Sequence, residues 1–458
     1  MAISLTKKKI FKYYMKRSIL ILVMSIYLTP IMAQTGGNKI FNLNDCMQYA
    51  IDNSTKVNTQ NIRNNNYLQD RNEAIASFLP SASMSSNVNN SYGRSIDPET
   101  NTYTNTSNLS NSYSVSSQIP VFAGLTTINS YRVSRAAILM GKEELERIKD
   151  EVALEVMQAY FDVVYYCDAV KLANQQLETS RSTYIKDCKL EELGLKSRSD
   201  ILQIEAQLRG DEYVVIKQEN ARDLAISSLK EKMNFPANEE IIIDTNIYAD
   251  EDVVSTSLEN VISYAMENSP RIKSQNYSYK QSQLNYYIVK GRLLPSIYIG
   301  GGFSTNFYEN LNSTAVITPF MTQLKNNQGY YFGASLSIPI FDGLARRSNT
   351  NRARNNMKIA EQTKIAAERV LQSEIEQNYH QMQGFRKEFI QTNKKVEAAE
   401  LAHKATLQKY EMGLTSPIEL QTSANQLLQA KSELLNSRLQ YIIKSRIVDY
   451  YRGKSLIR

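Results

Sequence analysis

Tryptophan is absent from the 458 residues, and cysteine and histidine are nearly so, with three and two copies. Cys46, Cys167 and Cys188 stand far apart with no CxxC spacing, and His380 and His403 stand alone. Neither a disulfide framework nor a zinc site is encoded, and no residue pattern calls for a metal or any other cofactor. Seventeen glycines and ten prolines are too few for a collagen-like chain, and a 42% hydrophobic content is too high for disorder. Long apolar runs are missing beyond the first 35 residues, where none approaches the 18 or so that a spanning helix needs. A polytopic helical membrane protein is therefore excluded, and a chain that spans a bilayer must do so with strands. G-x-S-x-G and G-x-x-x-x-G-K-[ST] are also lacking, so the sequence supports neither an enzyme nor a motor carrying its own energy source.

What the chain does have begins with charge. The formal charge of +7 suggests nucleic acid until its location is read. Lys7, Lys8, Lys9, Lys12, Lys16 and Arg17 precede an apolar run from Ile19 to Met32 that ends at Ala33-Gln34, the layout of a secretory signal peptide over residues 1–33. Taking those six positive charges from +7 leaves +1. The basic balance is a targeting signal, and no nucleic-acid partner is expected. Gln34 rather than Cys follows the cut, so lipid attachment there is not expected.

Two segments then read as copies. Asn42–Ser54 (NLNDCMQYAIDNS) matches Ser257–Ser269 (SLENVISYAMENS), and Leu79-Pro80 recurs as Leu294-Pro295. Ile119-Pro120-Val121-Phe122 recurs as Ile338-Pro339-Ile340-Phe341, Gly194-Leu195 as Gly413-Leu414, and Gln207-Leu208 as Gln426-Leu427. Five landmarks in one order define a two-fold internal repeat, with units at 34–256 and 257–458. Each unit opens on a helical pattern, such as Leu258, Val261, Ile262 and Ala265, with Asp45 or Ser257 as the cap. After Leu-Pro the period becomes two, and strands are expected near 82–92, 109–121, 296–308 and 330–341. Polar loops are expected at 93–108 and 309–328, where Asn, Ser and Thr dominate.

Helical hairpins are expected at 124–232 and 343–452. Ile375, Met382, Phe389 and Val396 recur every seventh residue, as do Leu420, Leu427, Leu434 and Tyr441, a coiled-coil signature. The stretch from Gly124 to Leu193 would make a helix roughly 105 Å long at 1.5 Å per residue. Gly194 and Gly413 suit the left-handed turns that reverse the chain. Strands of about ten residues with one apolar face have the length of transmembrane barrel strands, but four cannot close a barrel. Open edges in lipid would strand backbone donors, so further strands must come from other copies, and three copies give twelve.

Two units that each carry LP, a hairpin, IPxFxG, a long helix and a GLxS turn resemble the TolC family of outer-membrane efflux proteins. IPIFDGLARRSN at 338–349, KYEMGLTSPIEL at 409–420 and NQLLQAKSELLNSRLQY at 425–441 carry the resemblance, which covers about 40–452. It implies a mainly α protein with a membrane β-barrel: a homotrimer with twelve strands in the outer membrane and a long coiled-coil α-helical barrel across the periplasm. The implied role is the exit duct of a tripartite efflux system. Its partners would be outer-membrane lipid, a periplasmic adaptor and an inner-membrane pump or ABC exporter. A type I protein secretion duct, or a structural coiled-coil protein of the envelope, are the alternatives.

The resemblance also implies a gate at the helical tips. Counting from each tip glycine, the family's tyrosine falls on Tyr410 and its aspartate partner on Asp200, an expected hydrogen-bonded latch. The family's arginine is replaced by Thr415, with Ser199 opposite, so no ionic latch is expected there. Glu419 keeps the first position of an acidic ring, and Thr422 replaces the second aspartate. Three Glu419 carboxylates facing one axis would attract cations. Gly194, Leu195, Gly413, Leu414 and Ser416 are the expected adaptor-docking turns, and Arg198 is a candidate substitute for the missing arginine.

Overall fold

The computed structural model describes residues 40–96, 101–245, 257–312 and 316–457. The expected signal peptide, 1–33, lies outside them. The chain divides into two units. The smaller pairs β1 (Ile40–Phe41) with β4 (Ile242–Ile243) in parallel, and the Asp244 amide donates to the Phe41 carbonyl at 3.0 Å.

The larger unit holds the remaining elements. Its first half runs α1 (Leu43–Asn53), α2 (Thr55–Ala76), β2 (Ser81–Ile96), β3 (Tyr103–Ala123), α3 (Thr126–Glu192) and α4 (Arg198–Met233). Its second half runs α5 (Leu258–Asn268), α6 (Pro270–Gly291), β5 (Ser296–Asn310), α7 (Phe320–Asn326), β6 (Gly329–Ser337), α8 (Ala345–Glu411) and α9 (Pro417–Tyr451). Corresponding helices have near-equal lengths: 11 residues for α1 and α5, 22 for α2 and α6, 67 for α3 and α8, and 36 against 35 for α4 and α9. At 1.5 Å per residue the 67-residue helices are about 100 Å long.

Local chemistry sets these boundaries. Asn42 caps α1 in a capping box with Asp45, so Asp45 is the third helical residue and not the cap itself. Ser54 and Ser257 cap α2 and α5 through their hydroxyls, and Pro270 begins α6 where no amide donor is required. Gly124 enters α3 with φ near +60°, and a Cβ there would lie 2.0 Å from the Gly291 carbonyl oxygen. The two glycines let the start of α3 and the end of α6 touch backbone to backbone.

The four long strands form one antiparallel sheet ordered β2-β3-β5-β6. Its register separates two chemistries. Met84, Val88, Tyr113, Val115, Ile299, Phe303, Tyr330, Phe332 and Leu336 share one face, with Met84 opposite Val115, Val115 opposite Phe303 and Phe303 opposite Tyr330. The other face carries Ser83, Ser85, Asn87, Ser112, Ser114, Ser116, Gly300, Gly302, Ser304, Gly333 and Ser335. Ser83 meets Ser116 at 3.1 Å and Ser85 meets Ser114 at 2.7 Å across it.

Both expected loops are shorter than the sequence indicated. β2 and β3 stay paired out to Ile96 and Tyr103, well into the expected loop 93–108. The ladder satisfies the backbone of those polar residues, so their side-chain polarity does not prevent a strand. The other loop contains α7.

No helix among the described residues is long and apolar enough to cross a membrane. One helical core cluster packs Val261, Ala265 and Ile272 of α5 and α6 on Leu371, Ile375 and Met382 of α8 and Val448 of α9, and Tyr160, Phe161 and Met157, among the largest buried side chains of the first half, lie on α3.

Candidate functional site at the helical tips

The two helical hairpins turn by the same device. Gly194 and Gly413 both adopt φ near +74°. At the first, the Leu195 amide donates to the Leu190 carbonyl and the Gly194 amide to Glu191, both at 2.8 Å. At the second, Leu414 donates to Lys409 at 2.9 Å and Gly413 to Tyr410 at 3.0 Å. Each is a Schellman turn, in which a left-handed residue lets the chain satisfy the last helical carbonyls. The returning helices start alike: the Ser197 hydroxyl accepts from the Asp200 amide at 3.1 Å, and Ser416 from the Glu419 amide at 3.3 Å. Asp200 and Glu419 are thus first-turn acids, where the helix dipole favours negative charge.

Such turns commonly bury the leucine after the glycine, but here both point outward. Leu195 is 70% exposed and Leu414 73%, and Leu193 and Met412 beside them are exposed too. Apolar side chains therefore crown both tips.

Inside the tip, Tyr410 is 4% exposed and packs with Ile204, Leu420, Tyr184 and Leu407. Its hydroxyl donates to Asp187 Oδ2 at 2.5 Å, so the bond expected with Asp200 is made with Asp187 instead. Asp187 lies on α3, 2% exposed and aimed across at α8, whereas Asp200 sits at the start of α4 with its amide held by the Ser197 cap. Lys196, from the turn, places Nζ 3.7 Å from Asp187 Oδ1 and 3.7 Å from the centre of the Tyr410 ring. Burial, then the bond to Asp187 and the charges of Asp187 and Asp200, hold the Tyr410 phenol well above its ordinary value. The arrangement links the two hairpins through a neutral phenol, a carboxylate and an ammonium.

Other expected residues are placed as follows. Thr415 bonds through its hydroxyl to Glu419 of its own turn, and Thr422 to the Ile418 carbonyl at 2.8 Å. Ser199, Glu419 and Thr422 are exposed. Glu419 and Thr422, three apart, lie on one face of α9. Arg198 pairs with Glu191 of its own hairpin at 3.4 Å, so it does not bridge to the second as the sequence suggested. A second link went unread: Ser180 donates to buried Asp211 at 2.5 Å, Gln207 donates to Asp211 at 2.8 Å, and Gln421 of α9 bonds to Gln207. The missed signal is a spacing: Ala173, Ser180 and Asp187 recur every seventh residue on the buried stripe of α3, polar where a heptad calls for apolar.

A two-faced sheet joined to two helices of about 100 Å, each paired with a helix of about half that length, has the architecture of an outer-membrane channel protein. Residues 261–448 match the family model of the outer membrane efflux protein. The outer membrane protein TolC of Vibrio cholerae is 23% identical over 305 residues, which are 63% of this chain and 65% of that protein. Protein CyaE of Bordetella pertussis is 20% identical over 310 residues, 65% of this chain and 59% of that protein. The match thus spans less than two thirds of either relative. Among solved structures, the outer membrane protein VceC of Vibrio cholerae superposes with a TM-score of 0.76 at 13% identity, covering 90% of this chain and 96% of that one. Over residues 261–448 the chain carries an outer membrane efflux protein domain, and by its fold and these relatives it is similar to the TolC family of outer-membrane proteins. The matched domain is that of an efflux protein, and the shared fold is that of outer-membrane proteins.

Proposed function

We propose that this protein is the exit duct of a tripartite efflux system, assembled as a homotrimer. The observation that carries the reading is the sheet. It has free edges at β2 and β6, one face that gathers the large exposed apolar side chains, with Asn90, Arg94 and Glu309 only toward its far end, and an opposite face whose described side chains beyond Pro120 are Ser, Thr, Asn, Gln, Tyr and Gly. Such a sheet is stable in a bilayer only when closed, and three copies of four strands close a twelve-stranded barrel with the polar face inward. The matched helix lengths support two copies of one ancestral unit, 34–256 and 257–458. Six long helical hairpins, two from each copy, would continue the duct as an α-helical barrel in the periplasm.

In this reading the exposed leucines at the tips, with Gly194, Gly413 and Ser416 shaping the turns, dock on a periplasmic adaptor of an inner-membrane pump. The Asp187–Tyr410–Lys196 contact holds the hairpins together near a gate. Asp200, Ser199 and Thr415 lie beside it. Exposed Glu419 from three copies forms a cation-attracting ring, and neutral Thr422 leaves it single, so block by divalent cations is weak.

Single-channel recording of the detergent-extracted protein in planar bilayers tests this, wild type beside Glu419→Ala, with and without a divalent cation on the tip side. A small cation-selective conductance whose selectivity falls in the variant is expected. A well-folded sample that stays silent even as an Asp187→Ala, Tyr410→Phe double variant would end the duct reading.

A further inference from the structure

The two free edges of the sheet are unequal. β2 has 16 residues and β6 nine, so in a barrel closed edge to edge at least seven residues of β2 find no β6 partner, whatever the register. β6 stops where Gly329 pairs with Ser304, leaving Thr305–Asn310 of β5 without a strand on that side. That end of the sheet is the one away from the long helices.

α7 occupies the vacated lane. The Gln323 side-chain amide treats Tyr308 as a neighbouring strand would: Oε1 accepts from the Tyr308 amide at 3.1 Å and Nε2 donates to the Tyr308 carbonyl at 3.1 Å. Asn327 donates to the Asn306 carbonyl at 2.8 Å, and the Thr305 hydroxyl donates to the Leu324 carbonyl at 2.6 Å. Phe320 stacks at 5.0 Å on Phe307, which is buried beneath it. Two carboxamides thus do for β5 what two more residues of β6 would have done, and the edge ends satisfied.

One side of α7 is therefore fixed on β5, and the other is left over. Met321 there is 73% exposed, with exposed Val316 and Ile317 beside it. The far part of β2 has the matching deficit: it is paired on one side only, and Tyr92, 74% exposed, and Ile96 project from the apolar face. In a ring of copies, the strand that follows β6 and α7 is the next copy's β2.

We infer that α7 is the joint at the outer rim between neighbouring copies, seating the unpartnered part of the next copy's β2 against Met321. The inference rests on the three-copy barrel above and adds to it a helix-to-strand contact where strand pairing runs out. Edge pairing carries the lower part of the interface, and α7 locks the register at the top.

Disulfide trapping in the full chain tests this, in membranes, with Cys46, Cys167 and Cys188 first replaced by serine. Met321→Cys is combined in turn with Tyr92→Cys, Arg94→Cys and Ile96→Cys. Separately, Ser335→Cys of β6 is combined with Ser81→Cys, Ser83→Cys and Ser85→Cys of β2. Under mild oxidation at least one pair in each set should give covalent dimers and trimers, several-fold above the single-cysteine chains. Links in the β6 set with none in the α7 set would overturn the joint and leave the barrel standing, with α7 facing lipid or solvent. Links in neither set would remove the edge-to-edge barrel and the joint together.

Discussion

Two Asp–Tyr hydrogen bonds tie the first long helix to the second half of the chain, and they differ in what surrounds the carboxylate. Near the tip, Asp187 of α3 accepts from Tyr410 of α8 at 2.5 Å, with Lys196 completing the contact. Thirty-seven residues earlier on α3, roughly 55 Å along the helix, Asp150 accepts from Tyr450 of α9 at 2.7 Å. Among the described residues, Asp150 has no ion pair of the kind that Lys196 makes with Asp187, and the ammonium whose charge acts on it is that of neighbouring Lys149. Burial pushes its carboxyl above the ordinary value, the Tyr450 bond pulls it back, Glu146 adds to the rise and Lys149 opposes it. The tip contact is neutralised from within, whereas the other leaves an anion in a place that disfavours it. One is built to hold while charged, and the other to be held by the packing around it.

The largest expected effect breaks the tip contact. Asp187→Ala would strand the Tyr410 hydroxyl and a mostly buried Lys196, costing about 3 kcal/mol, because a lost acceptor leaves two desolvated donors behind. Asp150→Ala removes a disfavoured anion along with a hydrogen bond, and should cost about 1 kcal/mol. Urea midpoints of the detergent-extracted protein measure both. Equal losses would show that Lys196 contributes nothing and that the two contacts are of one kind.

A smaller effect sharpens the assignment at the tip. Asp200 lies close enough to raise the Tyr410 phenol but makes no bond to it in the structure. Asp200→Ala should therefore lower stability by only about 0.5 kcal/mol, as loss of a first-turn acid does, and leave the channel as quiet as wild type in planar bilayers. Conductance rising as far as in Asp187→Ala would make Asp200 the working partner in the assembled protein.

Why the sequence pointed at Asp200 is instructive. Patterns that are local in the chain were legible: the period of two from Ala82 onward, the heptads through Ile375 and Met382, and the glycines that reverse each hairpin all act within a few residues. Which acid faces Tyr410 is set by how the two hairpins meet, the partners being 223 positions apart in the chain, and counting from a turn does not give that. Ser197 also makes Asp200 intelligible as a helix-start residue, so its type has a local cause. α7 escaped for a related reason. FMTQLKN sits in a polar stretch after Pro319, and its role depends on the end of β6, which only the ladder reveals.

The smallest effect concerns pH and tests the contrast itself. The folded-state pKa of Asp150 is raised above 3.8, so its contribution favours the fold fully below the unfolded value and is lost as pH rises through the folded one. Asp150→Asn keeps an oxygen for the Tyr450 hydroxyl and removes the charge. The variant should be more stable than wild type at pH 7, with the difference shrinking as pH falls toward the ordinary carboxylate value of about 4. Tyr410 gives no such slope. Its phenol is also raised, so its contribution is complete below the ordinary tyrosine value of about 10 and is lost only at higher pH. Urea midpoints between about pH 4 and 7 separate the two. An Asp150→Asn variant less stable than wild type at neutral pH would mean that the charged bond to Tyr450 outweighs the cost of burial, and that Asp150 needs no ammonium to hold as Asp187 does.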